Sequence, residues 1–124
     1  FLELPIIGIC AGMQILFNES KEGTKKGLGL IEGKIIKLES FNIGWISTFF
    51  LNKKLEILNN FYYYNHSYFI SNTPYDFAIS EIKSQQISSA VLHKNILGLQ
   101  FLPEKSQNSG KLLLRNLNNI FKYD

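Results

Sequence analysis

Apolar positions along this chain fall into short runs with two different periods. "LPIIGIC", Leu4 to Cys10, is a continuous Ile-rich run, as expected of a strand buried on both faces of a parallel sheet, and Pro5 fits only at its beginning. "AGMQILFNESKEG" follows and places Met13, Ile15, Leu16 and Phe17 toward one helical side, with Gly23 as a natural stop. The spacing therefore predicts strand, tight turn, helix. After Gly23 the period drops to about two. "IEGKIIKLES", "GWISTFF", "FYYYNHSYFI", "FAISEI", "ISSAVLHK" and "ILGLQF" are separated by Gly, Asn, Ser or Pro and read as mainly antiparallel strands joined by turns. The end of the chain, "NSGKLLLRNLNNIFKYD", sets Leu112, Leu113, Leu117, Ile120 and Phe121 on one side of a closing helix whose stripe lies back on the sheet. No repeat, low-complexity tract or linker interrupts this order.

Composition narrows the class. With 124 residues, 45% of them hydrophobic, the chain can bury one core, and a charged fraction of 19% is too low for a disordered segment. The net charge of +3 comes from lysines such as Lys21, Lys53, Lys94 and Lys111 scattered among acids and turns, with a single arginine, Arg115. A nucleic-acid face would concentrate such charge on one surface, so no nucleic-acid partner is expected. One cysteine, Cys10, forms no internal disulfide and fits a reducing compartment. No run of about 18 apolar residues and no cleavable signal is present, so a cytoplasmic protein without a membrane partner is expected. The chain opens Phe-Leu-Glu-Leu-Pro without Met and enters a strand at once. A central strand without a neighbour exposes unpaired edges, so a domain lacking its N-terminal part is expected.

The chemistry begins at "GICAGMQ", Gly8 to Gln14, which has the form G-x-C-x-G at a strand-to-helix turn. In such an elbow the glycines leave room for close backbone approach while the cysteine projects at the top of the sheet. A helix N-terminus favours a thiolate at Cys10, and the next amide, Ala11, is a ready oxyanion donor. A buried structural cysteine is the competing reading. His66, between Tyr64 and Tyr68, reads by itself as a strand residue with a satisfied ring, and Tyr62, Tyr63 and Tyr64 as sheet filling. His93 falls in an expected turn at the surface.

"PIIGICAGMQILF" resembles the nucleophile segment of class I, triad-type glutamine amidotransferases. "GLGLIEGKIIKL", "IGWISTFF", "YYYNHSYFI" and "GLQFLPEKSQNSGKLLLRNL" are similar, in order, to segments of the glutaminase subunit of imidazole glycerol phosphate synthases in histidine biosynthesis. The resemblance implies an α/β fold, a mixed sheet with flanking helices, with residues 1–124 as the C-terminal portion of a single domain. It also implies that Cys10 attacks the carboxamide of glutamine, and that ammonia passes from a thioester intermediate to a synthase (cyclase) partner in a heterodimer. Gly12 and Gln14, with His66, Ser67 and Tyr68, would border the glutamine pocket. No cofactor and no metal enters that chemistry.

The second signature of the family is Q-F-H-P-E-K-S, in which the histidine moves the proton and the glutamate orients it. Here the segment is "QFLPEKS", Gln100 to Ser106, and Leu102 stands where the histidine is expected. Glu104 keeps the orienting position, or is simply an exposed acid beside Lys105. The expectation is a glutaminase impaired at its proton shuttle. The alternatives are a non-catalytic partner of the synthase, or a glutaminase that serves a sugar amidotransferase of surface polysaccharide synthesis.

Overall fold

The computed structural model of the chain describes residues 4–20 and 27–123, and the side chains of all of these except 18–20. Strand β1 (Ile6–Ile9) runs into a one-turn helix α1 (Ala11–Gln14) and then β2 (Phe17–Ser20). A long strand β3 (Ile31–Phe50) is followed by a 3-10 segment (Lys53–Leu58) and by β4 (Asn60–Phe69), β5 (Asp76–Ile82), β6 (Gln85–His93) and β7 (Ile96–Leu99). A 3-10 turn at Pro103–Lys105 leads into α2 (Gln107–Arg115), with α3 (Leu117–Ile120) directly after it.

The strands form one mixed sheet in the order β1-β7-β6-β5-β3-β2, with β4 paired to β3 beside that path. β1–β7 and β2–β3 are parallel, and the remaining pairings are antiparallel. Alternation along β6 and β7 sorts the core between two faces. Ala90, Leu92, Leu97 and Leu99 join Tyr62, Tyr64, Phe101, Leu113 and Ile120 in one cluster, beneath α2 and α3. Val91 and Ile96 join Met13, Leu16, Phe17 and Ile70 in the other, beside α1. Gly98 makes the second contact possible, because a Cβ there would lie 2.8 Å from Cγ of Met13.

Three expectations are corrected. β1 is not buried on both faces: Ile7 and Ile9 are 39% and 36% exposed, and among the described residues the strand is paired along β7 alone. The first helix stops at Gln14, after which Phe17–Ser20 turns into a strand beside Ile31–Ile35. Asn and Ser, the residue types at 18 and 20, favour competing backbone conformations over helix interiors, and the ring of Phe17 lies where a side chain on Gly33 would be, 2.7 Å from its Cβ position. Gly23, the expected stop, lies outside the described residues. The closing helix breaks at Asn116, whose Nδ2 donates to the Leu112 carbonyl at 2.8 Å, yet Leu113 and Ile120 remain buried.

Candidate active site

Cys10 occupies the turn between β1 and α1. Its N–H donates to Leu99 O at 2.7 Å, tying the end of β1 to β7, while its carbonyl accepts from Gln14 N at 3.2 Å and starts the helical turn. The backbone there has φ 56° and ψ −110°, a conformation that costs a non-glycine residue about 1–3 kcal/mol. Gly8 permits the tight return, since a Cβ on it would lie 2.5 Å from Gly12 O. Gly12 serves a different end from the one expected: a Cβ on it would meet nothing within 4 Å, so it borders open space.

The half-buried thiol has two partners. Its S–H donates to the Asn65 carbonyl at 3.6 Å, and the Gln100 carboxamide nitrogen donates to sulfur at 3.8 Å. Burial pushes the thiol above its ordinary pKa; the Ala11 N–H opposes this, the Glu104 charge adds to it and the Gln100 amide opposes it. The expected thiolate-favouring helix terminus is therefore outweighed, because α1 is a single turn and desolvation of the anion dominates. The thiol proton points at a peptide carbonyl, a group too weakly basic to take it.

β4 supplies the second wall. Gln14 Nε2 donates to Tyr68 O at 3.1 Å, and His66 Nδ1 donates to the same carbonyl at 2.7 Å. The carbonyl can only accept, so Nδ1 carries the hydrogen and Nε2 accepts from Asn42 Nδ2 at 2.9 Å. Burial holds the His66 imidazole below its ordinary pKa, with the Tyr68 bond opposing. Both ring nitrogens are thus engaged and neither faces sulfur with a free lone pair. Ser67 is half-buried between the two site neighbours. Asn42 reaches His66 through a bulge: four residues separate Lys37 from Asn42 on β3, where only Ser67 separates their partners Tyr68 and His66 on β4.

His93 is not in a turn but at the end of β6, half-buried, opposite Ile96, with its ring 4.4 Å from that of Tyr75. Ile96 pairs with Ile6, so His93 lies at the far end of β1, roughly 13 Å of strand from the elbow.

The turn carrying Leu102 and Glu104 is bound to the edge of β4. Leu102 N donates to Tyr63 O at 2.9 Å, Tyr63 N donates to Ser106 Oγ at 2.9 Å, and Ser106 Oγ donates to Leu102 O at 2.7 Å. Leu102 is half-buried, while Glu104 projects into solvent and reaches Cys10 through its charge. Among the described residues no group of three or more His, Cys, Asp or Glu side chains is gathered to hold a metal ion.

Sequence reasoning passed over Asn42 and Asn65, and gave Gln100 no role beyond opening the second signature. Gln100 carried a signal: a lone carboxamide ending the apolar run "ILGLQ" must find buried partners. Asn65 acts through its main chain and Asn42 through the bulge, neither of which a residue pattern displays.

Residues 1–119 match the glutamine amidotransferase class-I family. Among curated relatives, the imidazole glycerol phosphate synthase subunit HisH of Pyrococcus furiosus is 38% identical over 126 residues, covering 94% of this chain and 65% of its own length. The HisH proteins of Leptospira interrogans (39% identical, 92% of this chain, 63% of the relative) and Thermotoga maritima (38%, 93% and 58%) are similar to the same extent. The chain thus spans less than two thirds of the length of these relatives. In fold it resembles a crystal structure described as a glutamine amidotransferase (TM-score 0.62, 15% identity, 91% of this chain and 59% of that one). A Thermoplasma acidophilum protein named for a GMP synthase has the same TM-score of 0.62 at 23% identity, over 95% of this chain and 57% of its own. A strained cysteine elbow on a mixed sheet, in a chain matched from Phe1 to Asn119, places this protein in the class-I glutamine amidotransferase family.

Proposed function

We propose that this chain belongs to the glutamine-hydrolysing subunit of an imidazole glycerol phosphate synthase, as the C-terminal portion of a single amidotransferase domain. The observation that carries the reading is Cys10, held at φ 56° between β1 and α1 with open space beside Gly12. Its thiolate attacks the carboxamide carbon of glutamine, and the Ala11 N–H stabilises the oxyanion. The C–N bond breaks, ammonia leaves carrying the proton that the thiol gave up, relayed by water, and a second water cleaves the thioester to glutamate and free thiol. Gly12, Gln14 and the His66-Ser67-Tyr68 segment border the substrate. Ammonia passes to a cyclase-type synthase subunit in a cytoplasmic heterodimer.

Leu102 limits this activity. It carries no proton, His66 has both nitrogens occupied, and Glu104 has no imidazole to orient. Loss of such a shuttle typically lowers kcat on the order of 10⁴- to 10⁶-fold. The same facts favour a second reading, a protein that docks to its synthase without hydrolysing glutamine. The test is glutamate release by the full-length protein with its synthase partner, comparing Leu102 with Leu102→His. Release in the histidine form that Cys10→Ser abolishes supports the proposal and makes docking the role of this copy. Equal rates in both forms remove position 102 from the mechanism, and no release in either removes the glutaminase reading.

A further inference from the structure

We propose that Gln100 is a positioning residue of this site, which holds the Cys10 sulfur through its carboxamide nitrogen while Gln14 holds its oxygen. The inference rests on the reading of Cys10 as the nucleophile.

Gln100 is fully buried at the end of β7, with its N–H donated to Ser89 O at 2.8 Å. A carboxamide in that position is costly unless each end is bonded. The orientation of the two amides follows from one acceptor. Tyr68 O can only accept, so Gln14 turns its nitrogen toward β4, at 3.1 Å. The second hydrogen of that nitrogen is directed at Gln100 Oε1, 3.4 Å away. With its oxygen engaged there, Gln100 presents Nε2 to Cys10 Sγ at 3.8 Å. A donor at sulfur favours the thiolate over the thiol, the reverse of what burial does. The relay runs Gln14 to Gln100 to Cys10, and it is anchored at the carbonyl that also takes the His66 hydrogen. Gln14 thereby acquires a role distinct from contact with substrate: it decides which end of Gln100 the sulfur meets.

Alkylation of Cys10 by iodoacetamide in the full-length protein, followed across pH by mass spectrometry of the peptide that carries Cys10, reports on this thiol. In Gln100→Met, which keeps the length and removes the donor, alkylation at fixed pH below the midpoint is expected to slow by about threefold to tenfold, with the midpoint displaced upward. Gln14→Met should move the profile the same way by less, and the double variant should be no slower than Gln100→Met. Gln100→Asn retains an amide but withdraws it from sulfur, and should behave as the methionine variant does even if the latter fails to fold. An unchanged midpoint in a folded Gln100 variant, or additive effects in the double variant, would overturn the relay. Protection of Cys10 by glutamine is read separately. Its absence alongside a normal Gln100 effect would remove the glutaminase reading and leave the positioning role in place.

Discussion

The two sides of the Cys10 site are built to different degrees. On the β4 and β7 side, every polar group has a partner whose donor or acceptor character fixes the next: Asn42 to His66, His66 and Gln14 to Tyr68 O, Gln14 to Gln100, Gln100 to sulfur. On the other side, the Leu102–Ser106 turn is just as firmly attached. Both main-chain groups of Tyr63 are taken up by it, and Ser109 Oγ adds a bond to Phe61 O at 2.7 Å. Yet at 102, where the proposed mechanism calls for a proton shuttle, it presents a hydrocarbon. The contrast teaches that the scaffold of a turn and the chemistry it presents are separable. Main-chain hydrogen bonds and buried serines shape the turn, and none of them depends on the side chain at 102.

Under the proposed mechanism, placing an imidazole at 102 is the largest single change available. Leu102→His should raise glutamate release on the order of 10⁴- to 10⁶-fold in the full-length protein with its synthase, without altering its unfolding midpoint by more than a surface substitution does. The reverse experiment attacks the scaffold. Phe101 is fully buried with its ring 4.3 Å from that of Tyr62 and 5.8 Å from that of Tyr64, so Phe101→Ala should cost about 3–5 kcal/mol in denaturant unfolding. Ser106→Ala removes the hydroxyl that joins Tyr63 N to Leu102 O. Loss of about 1–3 kcal/mol is expected, together with reduced gain from Leu102→His in the double variant, since the turn no longer holds position 102.

The smaller effects are read by pH. Burial depresses the His66 pKa, so an unfolded chain takes up a proton that the folded one refuses. Stability from this group is complete above the ordinary imidazole value of 6.5 and declines as pH falls through and below it; His66→Gln should flatten that part of the profile in denaturant titrations. The smallest change is expected from Glu104→Gln, which removes a charge that opposes the thiolate. Alkylation of Cys10 should then quicken at fixed pH, and added salt should shrink the difference from the parent; a slower reaction would reverse the assigned sign.

Much of the fold was legible in the pattern of residues because alternation and helical spacing are local. The antiparallel strands from "GWISTFF" to "ILGLQF" and the apolar stripe of the closing helix follow directly from it. The elbow was legible for the same reason, since Gly8 and Cys10 are close in sequence as well as in space. What the pattern misjudged depends on neighbours: how far the first helix runs, whether β1 is covered on both faces, and whether desolvation or a helix terminus governs the thiol.

By itself, then, the sequence determined the kind of sheet, the glycine-flanked cysteine at the strand-to-helix turn and the absence of an imidazole at 102. Each is a property of a residue or a short spacing. Only the tertiary structure decided that both ring nitrogens of His66 are engaged away from the sulfur, that Gln100 stands at the sulfur, and that a four-residue bulge in β3 brings Asn42 to the imidazole. The physical reason is that a hydrogen bond's direction is set by the group it faces. Those groups lie 24 residues apart for Asn42 and His66 and 90 apart for Cys10 and Gln100, and folding alone brings them within reach.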